Sequence, residues 1–530
     1  MRTHKITGSP PTRGRQAWKI PSLSEPHCLL GGSFFYCSNS ALITVVVVGA
    51  WHWQNVRHIL ILNAITPDLK KILVVLPSPL MARNFLRTEI LHLLGAGVRA
   101  QVTVVSPDPE DRVLIEMHGA DWRPFFHPRR FREPGKIANL LRRGRYLRYL
   151  AGLFFHMCLT FRINTISGFN GFAVRLRQSF ALRKAYLREG LPMSPIFGFP
   201  FPRSTAIYKF LYRLYYSRWQ GFGPVEKLVE ELQPDIMILS MIQTHMMTPY
   251  LLAARHQGVR ILGINGSWDQ PTTKGPVCPG IERIVVQNDV VRDQLVRYHH
   301  VPQEKITTIG WLQMDSYPYE QGETRQALFA HMGIPFSHRY ILFAANAPRL
   351  GLHEPEVFRA LALQMQAGVF GQDVTLVCRC HPQDRNWQAR WGWAMDMPFV
   401  VVEPPDLGPL DHLAALIRHA GVVIASAGSI NLDAVALDTP TIGLAWEDEN
   451  LAFQDRPARA YDLDHLSELR KSSGMMFARN EEELLAACAR YLADRAADTS
   501  GRTELRDRYL FRIDGKAANR FVAEVERMLA

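Results

Sequence analysis

The sequence predicts an α/β protein with two Rossmann-like αβα domains in tandem and a helical basic insertion in the first. Three observations carry that expectation. Short apolar runs of strand length recur along most of the chain, and segments of helix length separate them. The alternation pauses in a polar connection after about residue 314 and then starts again. At 530 residues the chain also exceeds what one hydrophobic core usually organises.

The elements follow in order. KKILVVLPSP, from Lys70, reads as a buried strand, MARNFLRTEILHLLGAG as a helix stopped by glycine, and QVTVVSP as a second strand, which together make a βαβ unit. Strands resume at PDIMILS (234–240), RILGIN (260–265), ERIVVQN (282–288) and KITTIG (305–310). Helical segments such as TPYLLAARHQG and DVVRDQLVRYHH lie between them. This first domain spans 67–315. TRQALFAHMGIP then leads into a second, 316–505, with strands in RYILFAAN, DVTLVCRC, FVVVEP, GVVIAS and TPTIGLAW. Its helices fall in EPEVFRALALQMQ, LDHLAALIRHAG and SINLDAVALD, and residues 506–530 read as a closing helix.

Residues 1–66 read as a poorly ordered extension. The uncharged run from Pro26 to Val56 follows five basic residues, but its apolar part, ALITVVVVGAW, is about half of the roughly 20 residues that span a bilayer. Seven scattered cysteines without a CxxC argue against a disulfide framework and fit a reducing, cytoplasmic compartment.

Charge is unevenly spread. The chain carries +12, yet residues 123–223 alone hold 19 Arg and Lys against Glu133 and Glu189. Aromatic residues interleave with these cations, as in YKFLYRLYYSRW, so the block suits helices meeting an anionic surface. Nucleic acid, an anionic leaflet and an anionic glycan all fit that charge; taken with the rest of the chain, an anionic membrane surface on the inner face of a membrane is the expected partner, and nucleic acid is not.

In an open parallel sheet ligands collect beyond the carboxyl ends of the strands, so the residues just past each strand are the ones to inspect. In LVCRCHPQDR, Cys378 and Cys380 alternate along a strand and face one way, as small buried hydrophobes. Two thiols without further ligands do not close a zinc shell, so no metal site is expected. His381, directly past the strand and fixed by Pro382, offers an imidazole to the cleft. Downstream, Ser426, Ala427, Gly428 and Ser429 form a small-residue turn into a helix, which lets backbone approach a ligand. Ser429 is placed to cap that helix, and Asp433 one turn later to accept hydrogen bonds from ribose hydroxyls. In FAANAPRLG, Asn346 and Arg349 follow a strand, and Arg349 suits a pyrophosphate. DLD at Asp462–Asp464 is not tied to a strand end, and no P-loop, HExxH or GxSxG occurs.

RCHPQD, SAGSINLDAVALDTPTI, GSWDQPTTKG and DGKAANRFVAEVERML together resemble GT-B glycosyltransferases. The resemblance is to bacterial surface-polysaccharide enzymes, including the CDP-glycerol glycerophosphotransferase-like and HP-motif sialyltransferase groups, and runs from about Lys70 to the C-terminus. It implies that His381, Ser426, Ser429 and Asp433 bind a nucleotide-activated donor, beside Gly428, Asn346 and Arg349 read from their places past strand ends, and that the final helix packs back across the cleft. The acidic, glycine-containing catalytic motif of the sialyltransferases is missing. The first domain then holds the acceptor, with Arg83, Asn84 and Lys274 along its site. Asp269, in the loop after RILGIN, is the candidate base, and His245, after PDIMILS, is its rival. The implied activity is transfer of a sugar or glycerol phosphate to a surface glycan or lipid-linked acceptor, with no required cofactor. A nucleotide-sugar 2-epimerase of the same fold, and a non-enzymatic membrane or nucleic-acid binder using the basic block, are the alternatives.

Overall fold

The computed structural model describes residues 69–126 and 223–530, apart from 244, 274–276, 278–279, 318–322, 349, 407–409, 447–455 and 463. The N-terminal extension, nearly all of the basic block, Lys274 and Arg349 therefore lie outside the described residues.

Among the described residues thirteen strands build two sheets. The first contains β1 (Lys70–Val75), β2 (Ala100–Ser106), β3 (Asp121–Pro124), β4 (Ile236–Leu239), β5 (Arg260–Ile264), β6 (Arg283–Val286) and β7 (Ile306–Thr308). The second contains β8 (Arg339–Ala344), β9 (Val374–Arg379), β10 (Val400–Glu403), β11 (Val422–Ala425), β12 (Thr441–Leu444) and β13 (Met476–Ala478). Their orders are β3-β2-β1-β4-β5-β6-β7 and β10-β9-β8-β11-β12-β13, with parallel pairing throughout. Both sheets reverse direction of growth beside their first strand, at β1/β4 and at β8/β11. These are the two topological switch points, where such sheets open a crevice.

Alternation along the strands assigns each face. Ile72 and Val74 pack into one core cluster and Leu73 and Val75 into another, as the period of two requires. Cys378 and Cys380 likewise share the outer core of the second sheet with Val374 and Leu376, while Val377 faces the other way. That other cluster is continuous between the halves, running from Leu73 and Met237 to Tyr340, Val423 and Leu432.

The chain also returns to the first half at its end. The helix Thr499–Tyr509 stops at a carbonyl, that of Tyr509, which accepts from Asn288 Nδ2 at 2.6 Å and Trp311 Nε1 at 2.8 Å. The helix read over 506–530 occupies Ala517–Leu529, and Asp315 holds its start by accepting from the amides of Ala517 and Ala518. Phe521, Val525 and Met528 enter the core beside the first sheet, worth about 2 kcal/mol apiece, and Phe521 meets Phe85 edge-on with centroids 5.9 Å apart.

Three local expectations are corrected. The helix read through MARNFLRTEILHLLGAG breaks: Pro79–Leu86 ends where Thr88 Oγ1 donates to the Phe85 carbonyl, and a short helix, Ile90–His92, runs into a π-turn, Leu93–Gly97. Strands β3 (DWRP) and β13 (MFA) were not anticipated, since neither has the apolar run that signals a buried strand. Ser429 sits before its helix with helical backbone angles and makes no side-chain capping bond, so capping is not its role.

Candidate functional site

At the second switch point the carboxyl ends of β8 and β11 are tied together by a residue that the sequence reading missed. Glu354 opens the helix Glu354–Gln366 and is fully buried. Its carboxylate accepts from Ser426 Oγ at 2.6 Å and from the Asn346 backbone N–H at 2.9 Å. Asn346 Nδ2 donates in turn to the Ala427 carbonyl at 3.3 Å. Ser426, Gly428 and Asn346 are thus assembled into one turn. Burial raises the Glu354 carboxyl above its ordinary range, against the opposing pull of Ser426. Gly351 makes the geometry possible, because a Cβ there would stand 2.1 Å from Glu354 Oε2. In the sequence, EPE looked like an ordinary helix start, and nothing in it signals burial.

The HPQD stretch splits its labour. Gln383 N–H donates to His381 Nδ1 at 3.1 Å, so the neutral ring carries its proton on Nε2. Asp384 faces inward and accepts from Arg390 at 2.6 Å and from Trp391 Nε1 at 3.3 Å. Arg379, between the two thiols in sequence, reaches the other face and pairs with Glu403. His412 bridges Glu403 and Glu323, the latter at 2.8 Å. Hydrogen bonding to Glu403 raises the His412 pKa above the usual imidazole range, against some desolvation.

Asp433 joins the halves. It is buried and accepts from the Tyr317 hydroxyl at 2.8 Å. Burial pushes its carboxyl up to about 6, although Tyr317 and the nearby Arg83 guanidinium both favour the ionised form. Arg83 belongs to the helix after β1, so a first-half cation stands in the field of a second-half carboxylate. Its guanidinium also donates to Asn84 Oδ1 at 3.0 and 3.1 Å. Arg83 and Asp433, assigned by sequence to acceptor and donor respectively, thus act on each other's charge across the two halves.

The first half opens a cleft past the ends of β4, β5, β6 and β7. Ser240, Asn265, Gln287, Asn84 and Gln313 supply its polar lining. Gly266 lets the end of β5 pass close, since a Cβ there would lie 2.7 Å from the Ser240 carbonyl. Asn84 was expected here; Asn265 and Gln287 were read only as strand ends. Asp269 lies half-buried in the turn after β5, with its carbonyl accepting from Thr272 Oγ1 at 3.1 Å. His245 begins the short turn after β4. Both proposed bases therefore stand past strand ends of the first sheet. Among the described residues no group of His, Cys, Asp and Glu is arranged to hold a metal ion, and no helix is long and apolar enough to cross a membrane.

No family model matches the chain, and no curated protein matches its sequence. Solved structures do match in fold. A Listeria monocytogenes protein assigned as a UDP-N-acetylglucosamine 2-epimerase aligns at TM-score 0.51 and 12% identity, over 87% of this chain and 97% of its own. MnaA of S. aureus, solved with UDP, aligns at TM-score 0.51 and 11% identity over the same shares. A glycosyltransferase from Rickettsia africae aligns at TM-score 0.46 and 9% identity, a likeness too slight to bear on the reaction. The chain has the GT-B arrangement of two Rossmann-like domains.

Proposed function

We propose that this protein is a nucleotide-sugar-dependent glycosyltransferase whose second half binds the donor and whose first half binds the acceptor. The observation that carries the proposal is the junction itself: Tyr317, in the connection between the halves, donates to Asp433 past β11, and one buried cluster runs from β1 and β4 to β8 and β11. In this reaction an acceptor hydroxyl oxygen attacks the anomeric carbon, the bond from that carbon to the phosphate oxygen breaks, and the nucleotide diphosphate leaves with the electron pair. Asp269, past β5, takes the hydroxyl proton. His381, with its proton on Nε2, donates to the departing phosphate oxygens. A sugar on a surface glycan or lipid carrier is the acceptor class, with glycerol phosphate as the alternative group moved, at the cytoplasmic face of a membrane.

The fold likeness to UDP-N-acetylglucosamine 2-epimerases supports a second reading, acceptor-free epimerisation of the donor. Against it stands the basic, aromatic block 123–223, suited to docking on an anionic surface, for which an acceptor-free reaction has no use.

The test is a thermal-shift panel of UDP-, CDP-, GDP- and CMP-linked donors, followed by product analysis with and without acceptor. Transfer predicts nucleotide release that needs an acceptor; an epimerised donor formed without one would reverse the choice. His381→Ala is expected to weaken donor binding about tenfold, the worth of one charge-assisted hydrogen bond, with an unchanged melting temperature. Equal donor affinity in mutant and parent removes His381 from the site.

A further inference from the structure

We infer that the cavity past β4 to β7 is a subsite for an uncharged, polyhydroxylated ring, recognised by hydrogen-bond acceptors instead of by charge. The inference rests on the transferase reading and names the class of acceptor unit that reading leaves open.

Asn265 is the central observation. Its side chain is fully buried, and Nδ2 is committed to the Ser267 carbonyl at 2.7 Å and to Gln287 Oε1 at 2.9 Å. Gln287 Nε2 donates back to the Asn265 carbonyl, which fixes both amides. Asn265 Oδ1, on a residue that lines the cavity, has no hydrogen-bond partner. A buried acceptor left open in a rigid amide pair is completed by an incoming O–H or N–H, which a ligand hydroxyl supplies in place of water. Ser240 points the same way: its hydroxyl proton goes to the Val75 carbonyl at 3.0 Å, so its oxygen can only accept from a ligand.

The rest of the lining sets the charge and shape. None of the fourteen lining residues is charged. An ion entering the cavity would surrender its hydration without meeting a counter-charge. Arg83, next to Asn84, is outside the lining and donates to Asn84 Oδ1. Met81, Phe85 and Leu312 provide an apolar wall, which suits the C–H face of a pyranose. A neutral lining of hydrogen-bonding groups beside an apolar wall matches a ring that carries many hydroxyl donors and no charge.

Saturation-transfer NMR on the full chain tests this with the methyl glycosides of glucose, galactose, mannose and N-acetylglucosamine, set against methyl glucuronide and methyl galacturonide. At least one neutral glycoside is expected to bind, at least tenfold more tightly than its uronide. Asn265→Leu removes the open acceptor, and Met81→Trp fills the cavity without touching the amide pair, so one variant reports if the other does not fold. Each is expected to lose glycoside binding at least fivefold while keeping the thermal shift given by the nucleotide donor. Uronides binding as well as neutral glycosides, no glycoside binding in a protein that binds a donor, or unchanged binding in Met81→Trp would each overturn the subsite. Glycoside binding in a protein that no nucleotide donor shifts would instead remove the transferase reading and leave the subsite standing.

Discussion

The side chains that line the cleft past the ends of β4 to β6 are neutral, and some hydrogen-bonding capacity around it is left open. Asn265 keeps an unpartnered oxygen, and Gln243, also buried, has neither its amide nitrogen nor its oxygen partnered. Past the ends of β8 to β11 the side chains are charged and paired: Glu354 with Ser426, Asp384 with Arg390, Arg379 with Glu403, and Glu403 with His412. The two sheets share one topology, so the difference lies in what each rim is for. Charges that satisfy each other stiffen the strand ends and cost stability when one member is removed. An acceptor without a partner contributes little to the fold and is free for the proposed ligand. Substitution on the second rim should therefore be felt first in stability, and on the first rim in binding.

The largest expected effect is at Glu354. Glu354→Leu leaves Ser426 Oγ and the Asn346 N–H without their acceptor in a buried place. Two stranded donors cost on the order of 4 kcal/mol together. Urea unfolding should show the midpoint fall with little change in slope. A midpoint within error of the parent would mean that the second rim is not held by its own pairing, and the contrast between the rims would dissolve.

Asp433 sharpens the comparison through pH. Its folded-state pKa of about 6 lies above the ordinary 3.8, so the folded chain holds this proton more tightly than the unfolded chain. The associated stability is fully present below pH 3.8 and is lost as pH rises through about 6. The shift of about two units corresponds to on the order of 3 kcal/mol. In Asp433→Asn that component of the slope vanishes between pH 4 and 6.5, and the variant gains on the parent toward neutral pH. Parallel stability curves for the two proteins over that window would show that Asp433 is not buried as a carboxyl at the junction.

How much of this was legible follows from where each signal lives. Apolar runs such as ILVV and VVIA announce buried strands, and the position just past them announces a rim, so Asn84, His381, Ser426 and Asn346 could be found from sequence. Burial of a charge leaves no such trace. Glu354 reads as a solvated residue at a helix start, and Tyr317 lies in a connection whose packing against Asp433 depends on how the halves come together. Asn265 and Gln287 were legible as strand ends, but their mutual locking requires the register of β5 with β6, in which Ile264 pairs with Val285. Short edge strands such as DWRP depend on their neighbours for formation and carry little pattern of their own.

The smallest effect expected is at Ser429. A serine in front of a helix normally accepts a hydrogen bond from the first turn, and its loss costs about 1 kcal/mol. Ser429 makes no such bond, and its backbone angles, φ −66° and ψ −24°, place it within the helix instead of at its cap. Asn288 is the useful control, because it caps the helix Asp289–His299 from an extended backbone and accepts from Val291 N–H at 2.8 Å. It also donates to the Tyr509 carbonyl, so Asn288→Ala should cost more than a simple cap. Ser429→Ala should leave the urea midpoint within about 0.5 kcal/mol of the parent. Any loss of donor affinity that accompanies that unchanged stability then assigns the hydroxyl to the ligand. A loss of about 1 kcal/mol in Ser429→Ala without donor would show that the hydroxyl caps after all, and that even the lightest position of the second rim serves the fold first.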